Sequence, residues 1–186
     1  MPGYIFRHLQ GRPEPGTGLS PGTMDLDVIA ALPTLLPQAV AWAHGQEEKC
    51  RRLGRRLAFW QVAEARDVGV RSPERVRLCI LDALPLPSNL VLRSLAMKAG
   101  LPGDETRGLS FGYAILLCRS HAGERRLLRH ELRHVAQYEQ AGSMMAFMGD
   151  YLRQMLRHGC QEAPFEVEAR RFETSGPGQF DAEDTS

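Results

Sequence analysis

The stretch Arg126-Leu-Leu-Arg-His-Glu-Leu-Arg-His-Val-Ala-Gln137 determines how the rest of the chain is interpreted, because it contains the pattern His130-Glu131-Leu132-Arg133-His134. Its apolar residues recur at intervals of three and four, which is the spacing of an amphipathic helix with one face toward a core. On a helix, residues four apart lie on the same face. His130 and His134 are therefore predicted to offer two imidazole nitrogens to one metal ion.

Glu131 projects about 100° away from His130 around such a helix. This direction places its carboxylate beside a bound metal, where it can take a proton from a metal-bound water. The pattern is typical of zinc hydrolases and, among these, of peptidases. We therefore expect zinc-dependent hydrolysis of peptide bonds with Glu131 as general base. The alternative is a pair of surface histidines on an ordinary helix.

Composition sets broad limits on the class of protein. The chain has 186 residues, of which 43% are hydrophobic and 24% are charged, as in ordinary soluble globular proteins. The formal net charge of +1 gives no global field that would mark a nucleic-acid or membrane binder. The basic cluster between Lys49 and Arg56 is predicted to be a solvated helix face, with a nucleic-acid patch as the alternative.

Cysteine usage and hydropathy favour a cytoplasmic protein. Cys50, Cys79, Cys118 and Cys160 show no CxxC spacing and no dense framework, so reduced thiols are expected. The N-terminus lacks the layout of a secretory signal. The most apolar stretch, residues 28–43, is too short and too interrupted by proline to span a membrane. We expect a peptide or protein substrate, no specific nucleic acid and no transmembrane segment.

One domain is predicted between two flexible tails. Residues 1–23 are rich in glycine and proline, and residues 174–186 are rich in glycine, serine and acidic residues. The domain at 24–173 is expected to consist of an N-terminal helical part at 24–70 and a core at 72–173.

The pattern predicts mostly helices with a small sheet, an α+β fold. The predicted helices are Leu26–Leu36, a longer helix from Pro37 to about Val68, one capped by Ser88 or Asn89 and running to about Ala99, the motif helix Glu124–Gln140 ended by Gly142, Met144–His158 ended by Gly159, and Pro164–Glu173. Two strands are predicted, Val76–Leu81 and Leu109–Cys118. The second directly precedes the motif helix, so a strand edge beside the metal is expected to pair with an extended peptide.

Catalytic zinc takes three protein ligands and leaves one position open. The third ligand is expected after His134, and the candidates are Glu166, Glu168, His158, Glu162, Asp150 and Cys160. Glu166 and Glu168 point to different sides of a helix that begins at Pro164, so one of them is expected to bind. Glu166 is preferred because the small Ala169 shares its stripe and allows close packing.

The segment from Gly108 to Gln137 resembles a bacterial peptidase domain that occurs among proteins linked to extracellular contractile injection systems, with a strand followed by LLxHELxHVxQ. HELRHVAQYEQAG is similar to the active helix of gluzincin-type metallopeptidases, and Pro164–Arg170 resembles their E-x-x-A-D segment. The resemblance covers about residues 72–173 and implies a minimal zincin-like core with zinc held by His130, His134 and Glu166. Arg170 stands where those peptidases have a supporting aspartate, a role for which Asp150 or Glu168 could substitute.

Two other residues of the motif helix were considered for the site. Tyr138 could donate a hydrogen bond to the oxyanion, although packing in the core is the more common role for such a residue. Gln137 is expected to support a ligand by hydrogen bonding.

Functions of other classes remain alternatives. A non-catalytic, zinc-stabilised interaction module would close the fourth position with Cys160 or His158. The stretch Lys49–Arg56 could recruit a peptidase to nucleic acid. The stretch Val28–Ala43 could face lipid.

Overall fold

The computed structural model describes residues 26–98 and 106–174. The predicted tail at 1–23, and the predicted C-terminal tail beyond Thr174, lie outside the described residues. The fold is α+β and mainly helical with a small sheet, as the sequence predicts. The helices are α1 Leu26–Leu53, α2 Phe59–Asp67, α3 Leu90–Lys98, α4 Arg125–Ala141, α5 Met144–Glu162 and α6 Pro164–Phe172. The strands are β1 Arg55–Arg56, β2 Arg77–Leu81, β3 Gly108–Phe111 and β4 Ala114–Cys118.

The sheet of the described residues is mixed and has the order β1-β2-β4-β3. The inner strands β2 and β4 are parallel, with Leu78 opposite Ile115, and the outer strands β1 and β3 are antiparallel to their neighbours. Because β1 belongs to this sheet, the predicted N-terminal helical part at 24–70 also supplies a strand.

The sheet lies between helices on both faces. Side chains alternate along β4, so Ile115 and Leu117 pack with α2 and α4, whereas Leu116 packs with α1. A further cluster joins α1, α3 and α5. Helix α4 is therefore held directly against the sheet, and its apolar face is fixed by Leu128, Leu132 and Val135.

The prediction of two helices separated near Pro37 is wrong, because α1 continues through both Pro33 and Pro37. Each proline removes one intrahelical hydrogen bond. The buried face of Leu32, Val40 and Ala43 holds the helix against the core on either side of these positions. The actual break is at Gly54, where a Cβ would lie 2.5 Å from the carbonyl oxygen of Cys50.

The prediction of one strand at Leu109–Cys118 is also wrong. The chain reverses at Gly112, whose φ is +61°, and forms the hairpin β3–β4. The four residues from Ala114 to Leu117 are all buried, so the apolar run shows no alternation that would mark the strand's start.

The remaining elements agree with the prediction within a few residues. Asn89 caps α3, because its Oδ1 accepts from the backbone N–H groups of Val91 and Leu92. Gly142 ends α4 with a φ of +78°. Gly159, the predicted end of α5, is a kink after which helical structure continues to Glu162.

Candidate metal centre and cleft

Helix α4 brings the two histidines of the motif together. The Nε2 atoms of His130 and His134 are 3.1 Å apart, and the two rings meet edge to face. His134 is buried, and His130 is partly exposed to a cleft. Helical spacing alone accounts for this pairing, as the sequence predicts.

Glu166 completes a group of three candidate ligands from the first turn of α6. Its Oε2 lies 3.2 Å from His130 Nε2 and its Oε1 lies 3.3 Å from His134 Nε2. The side chain is buried, and Ala169 on the same helix face is fully buried, in agreement with the close packing expected there. The structure thus places the preferred third candidate beside both histidines.

The other candidates for the third ligand lie elsewhere. Glu168 accepts hydrogen bonds from Arg133 and Gln137 of α4 and lies outside the converging group. Asp150 pairs with Arg153. His158, Cys160 and Glu162 are exposed. Among the described residues, His130, His134 and Glu166 form the group whose donor atoms converge closely enough to hold a metal ion.

The donor atoms lie close together around one point. The two Nε2 atoms are 3.1 Å apart, and each lies 3.2–3.3 Å from a different oxygen of Glu166. One ligand atom from each of the three residues lies within 4.8 Å of the other two. The geometry could hold a metal ion, and His₂Glu is a donor set found at catalytic zinc.

Hydrogen bonds at the back of both rings fix the nitrogen that faces the centre. Nδ1 of His130 lies 3.1 Å from Oε1 of Glu173, and Nδ1 of His134 lies 2.8 Å from Oε1 of Gln137. The amide nitrogen of Gln137 donates to Phe165 O and to Glu168 Oε2, which leaves its oxygen for His134. With protons on both Nδ1 atoms, both Nε2 atoms are acceptors that face a carboxylate, and a cation satisfies all three.

The charges of His130 and Glu166 influence each other's pKa. Burial raises the pKa of Glu166, but hydrogen bonds from His130 and His134 hold it well below its usual range. Burial lowers the pKa of His130, but the hydrogen bond to Glu166 and the charge of Glu131 outweigh this and raise it to about 9. The metal-free site therefore keeps a proton on His130 at neutral pH, in the place where a metal would supply positive charge.

Glu131 contacts strand β3 and is not one of the three converging residues. Its Oε2 accepts a hydrogen bond of 2.7 Å from Ser110 Oγ, and burial raises its pKa above the usual range of a glutamate. A Cβ on Gly108 would lie 2.5 Å from Oε1 of Glu131. A glycine at that position of β3 is therefore required for the strand to approach the carboxylate so closely.

The strand edge beside the site differs from the one that the sequence suggested. The strand that directly precedes the motif helix is β4, which lies inside the sheet between β2 and β3. In the described part of the chain the outer edge belongs to β3, which carries Ser110. The edge available for an extended peptide beside Glu131 is therefore that of β3.

Tyr151 is a residue of the site that sequence reasoning missed. Its hydroxyl donates a hydrogen bond of 2.6 Å to Glu166 Oε1, and its ring meets His134 edge to face. Burial and the Glu166 carboxylate raise the pKa of this phenol well above 10, so it remains a donor. Tyr138 instead packs against Tyr113 and Phe147, the structural role expected as the more common one. A hydroxyl within the apolar stripe of α5 was the available signal.

Arg170 stands where an aspartate was expected from the resemblance, and it donates to the carbonyl oxygens of Cys160 and Gln161. Its Nη1 also lies 3.9 Å from Oε2 of Glu166, so a cation rather than a carboxylate adjoins this ligand. Glu173 supplies the carboxylate for His130 from the end of α6. Glu168 accepts a hydrogen bond from Gln137, whose oxygen in turn contacts His134. Glu168 and Gln137 thus lie where the supporting roles suggested from the sequence would require them.

A cleft of about 890 Å³ opens beside the candidate metal centre. His130, His134, Glu131 and Glu166 line one side of it, and most of the remaining wall is apolar. The apolar wall is formed by Ala39, Trp42, Pro85, Leu86, Pro87, Leu92, Leu95, Ala96, Leu109, Phe111, Phe147, Met148 and Leu152. The cleft therefore offers access to the centre together with a large surface for an apolar group.

No protein-family model, curated protein or solved structure matches this chain. The relationship to the gluzincins therefore stays a prediction that rests on the residues quoted above. None of the helices in residues 26–98 and 106–174 combines the length and apolar character needed to cross a membrane.

Proposed function

We propose that this protein is a zinc-dependent peptidase, with His130, His134 and Glu166 as the zinc ligands and Glu131 as the general base. The observation that carries the proposal is the convergence of two acceptor nitrogens and a carboxylate at 3.1–3.3 Å, on the wall of an open cleft. A zinc ion bound there would polarise the attacking water and the scissile carbonyl.

Glu131, Ser110 and Tyr151 have separate roles in the proposed reaction. The buried carboxylate of Glu131, with its raised pKa, suits a group that accepts a proton from water and returns it to the leaving amine. Ser110 holds that carboxylate in place through Oε2. Tyr151 donates its one hydroxyl proton to Glu166 Oε1, which fixes the proposed ligand, and its side chain lines the cleft.

The cleft indicates how a peptide would lie. Within residues 26–98 and 106–174 no strand pairs with the outer edge of β3. That edge can pair with an extended backbone, which holds a peptide bond near the centre without selecting side chains. Selection then falls to the apolar wall between β3, α3 and α5, which suits a large aliphatic or aromatic side chain.

A purely structural zinc site is less well supported. Such a site would have a fourth protein ligand. The two residues considered for that position, Cys160 and His158, are exposed and lie outside the converging group. The converging group borders the cleft, which water can enter.

The test compares wild type with Glu131→Gln for zinc content and for cleavage of a mixed peptide library. Because Glu131 is not among the converging ligands, the variant should keep about one zinc per chain and lose cleavage. Glu162→Gln, an exposed change of the same kind on α5, should leave both unchanged. A Glu131→Gln protein that still cleaves, or a wild type that binds no zinc after supplementation, would refute the proposal.

A further inference from the structure

The connection between α1 and α2 exposes three large apolar side chains. Leu53 is 85% exposed, Phe59 is 94% exposed and Trp60 is 50% exposed. Burial of such side chains is ordinarily favourable. The three lie within eight residues of sequence, and exposed apolar side chains that occur together mark interaction sites.

The same connection is strongly basic. Residues 48–60 contain one acidic residue, Glu48, and five basic residues, Lys49, Arg51, Arg52, Arg55 and Arg56. Glu48 pairs with both Arg51 and Arg52. No carboxylate in the described ranges lies within ion-pair distance of Lys49, Arg55 or Arg56, so a net positive charge surrounds the apolar side chains. We call these eight residues, Leu53, Phe59, Trp60 and the five basic residues, the α1–α2 surface.

Ordered structure fixes this exposure. Cys50 is buried beneath the end of α1, and β1 pairs with β2 through Arg55 opposite Leu78. At the start of α2, the Gln61 side chain accepts from the Ala58 backbone N–H. Leu57 packs against the core, whereas Phe59, two residues later, projects into solvent. The chain therefore presents these side chains from a fixed scaffold.

We propose that the α1–α2 surface docks this protein onto an anionic lipid bilayer. Apolar and aromatic side chains can enter the boundary between headgroups and acyl chains, while neighbouring Lys and Arg side chains are attracted to anionic headgroups. Leu53 and Phe59 offer no hydrogen bond to the phosphates or base edges of a duplex, which favours lipid over double-stranded nucleic acid. Pairing of two copies through this surface would oppose like charges.

The experiment is co-sedimentation of the full chain with vesicles of phosphatidylcholine alone or with 30% phosphatidylserine. Binding should require phosphatidylserine and should weaken as salt is raised. Phe59→Ser should weaken binding about tenfold by removing an inserting side chain. Lys49→Gln and Arg56→Gln should each weaken it about fivefold.

Matched control variants distinguish binding by the α1–α2 surface from nonspecific binding to vesicles. Leu90→Ser removes another exposed apolar side chain, 76% exposed on α3, and Arg157→Gln removes an exposed charge on α5. Both should bind as wild type does. The metal-site variant His134→Ala should also bind normally if it remains folded, because docking is independent of the proposed zinc chemistry.

Several results would overturn the proposal. One is that the protein does not sediment with phosphatidylserine vesicles at low salt. Another is that wild type and Phe59→Ser bind these vesicles equally well. Salt-dependent binding to duplex DNA or RNA without vesicle binding would assign the surface to nucleic acid. Dimerisation abolished by Phe59→Ser, again without vesicle binding, would assign it to a second copy of this chain.

Discussion

Oε1 of Glu173 lies 3.1 Å from Nδ1 of His130, while its Oε2 accepts a hydrogen bond from Arg126. Glu173 follows Glu166 by two turns of helix, immediately after α6 ends. One short helix thus carries both a candidate ligand and the carboxylate that orients another. This relationship explains how Arg170 can occupy the position of the expected aspartate without loss of support for His130.

Loss of this carboxylate should weaken metal binding. Glu173→Ala removes the acceptor that orients His130, and groups in that position typically contribute about 10–100-fold to metal affinity. Competition with a chromophoric chelator measures the zinc dissociation constant directly. Glu162→Ala, an exposed change on α5, is the control. Equal zinc affinity for Glu173→Ala and wild type would show that His130 needs no such partner.

Close approach of β3 to the proposed base gives a second prediction. In Gly108→Ala the new Cβ would lie 2.5 Å from Oε1 and 2.9 Å from Cγ of Glu131. The carboxylate must move, and a displacement of about 1 Å can lower catalysis about 100-fold. Zinc content should be unchanged, since Gly108 does not contact the three proposed ligands.

Gly45→Ala is the matched control for this change. A Cβ at Gly45 meets no atom within 4 Å, and alanine is favoured over glycine inside a helix by about 0.5–1 kcal/mol. Gly45→Ala should therefore raise the melting temperature and keep full peptidase activity. Unchanged activity in Gly108→Ala would argue against the placement of Glu131 as base.

Local patterns were sufficient to predict the part of the site that one helix builds. His130, Glu131 and His134 lie within five residues, and helical periodicity alone fixes their relative directions. Glu166 was preferred among several candidates from its place on a short helix. Zinc binding and hydrolysis by these residues stay predictions.

Contacts between distant segments were beyond such reasoning. In the sequence, Tyr151 lies among the apolar residues of α5 and resembles a core residue. Its contact with Glu166 depends on the position of α6, which the sequence pattern does not give. Glu173 contacts His130 because α6, which begins at Pro164, places the residue after its last turn beside α4. The effects of proline and glycine also depended on tertiary structure, because packing carries α1 through Pro37, while α1 ends at Leu53, just before Gly54.

A buried ionic network should dominate the stability of the contact between α2 and α4. Arg129 is buried and donates to Glu64, to Asp67 at 2.5 Å and to the carbonyl oxygen of Phe172 at 2.6 Å. In Arg129→Met the buried Glu64 carboxylate loses its buried partner, although Arg125 still pairs with it. We expect a loss of about 3–5 kcal/mol in the free energy of unfolding.

Urea denaturation monitored by circular dichroism measures this change. The surface pair Arg153–Asp150 provides the comparison, because both side chains are about half exposed. Arg153→Met should cost about 0–1 kcal/mol. Similar losses for the two variants would mean that the buried network contributes no more than an ordinary surface ion pair.

Metal-free protein should lose stability as pH rises through the range in which His130 titrates. The pKa of His130 in the folded protein is raised to about 9 from 6.5, so its protonation favours the folded state. That contribution is fully present below about pH 6.5 and is lost as pH rises through about 9. Glu166, with its lowered pKa, stays ionised across this window and does not add to the change.

Thermal unfolding of chelator-treated protein between pH 6 and 9.5 tests this dependence. Wild type should show a falling melting temperature, while His130→Asn, which cannot titrate, should give a flatter curve. Zinc should act in the opposite sense, because metal binding requires neutral His130 and competes with the proton. The stabilisation by added zinc should therefore grow with pH. Parallel curves for wild type and His130→Asn without metal would show that His130 is not the proton-binding group of this cluster.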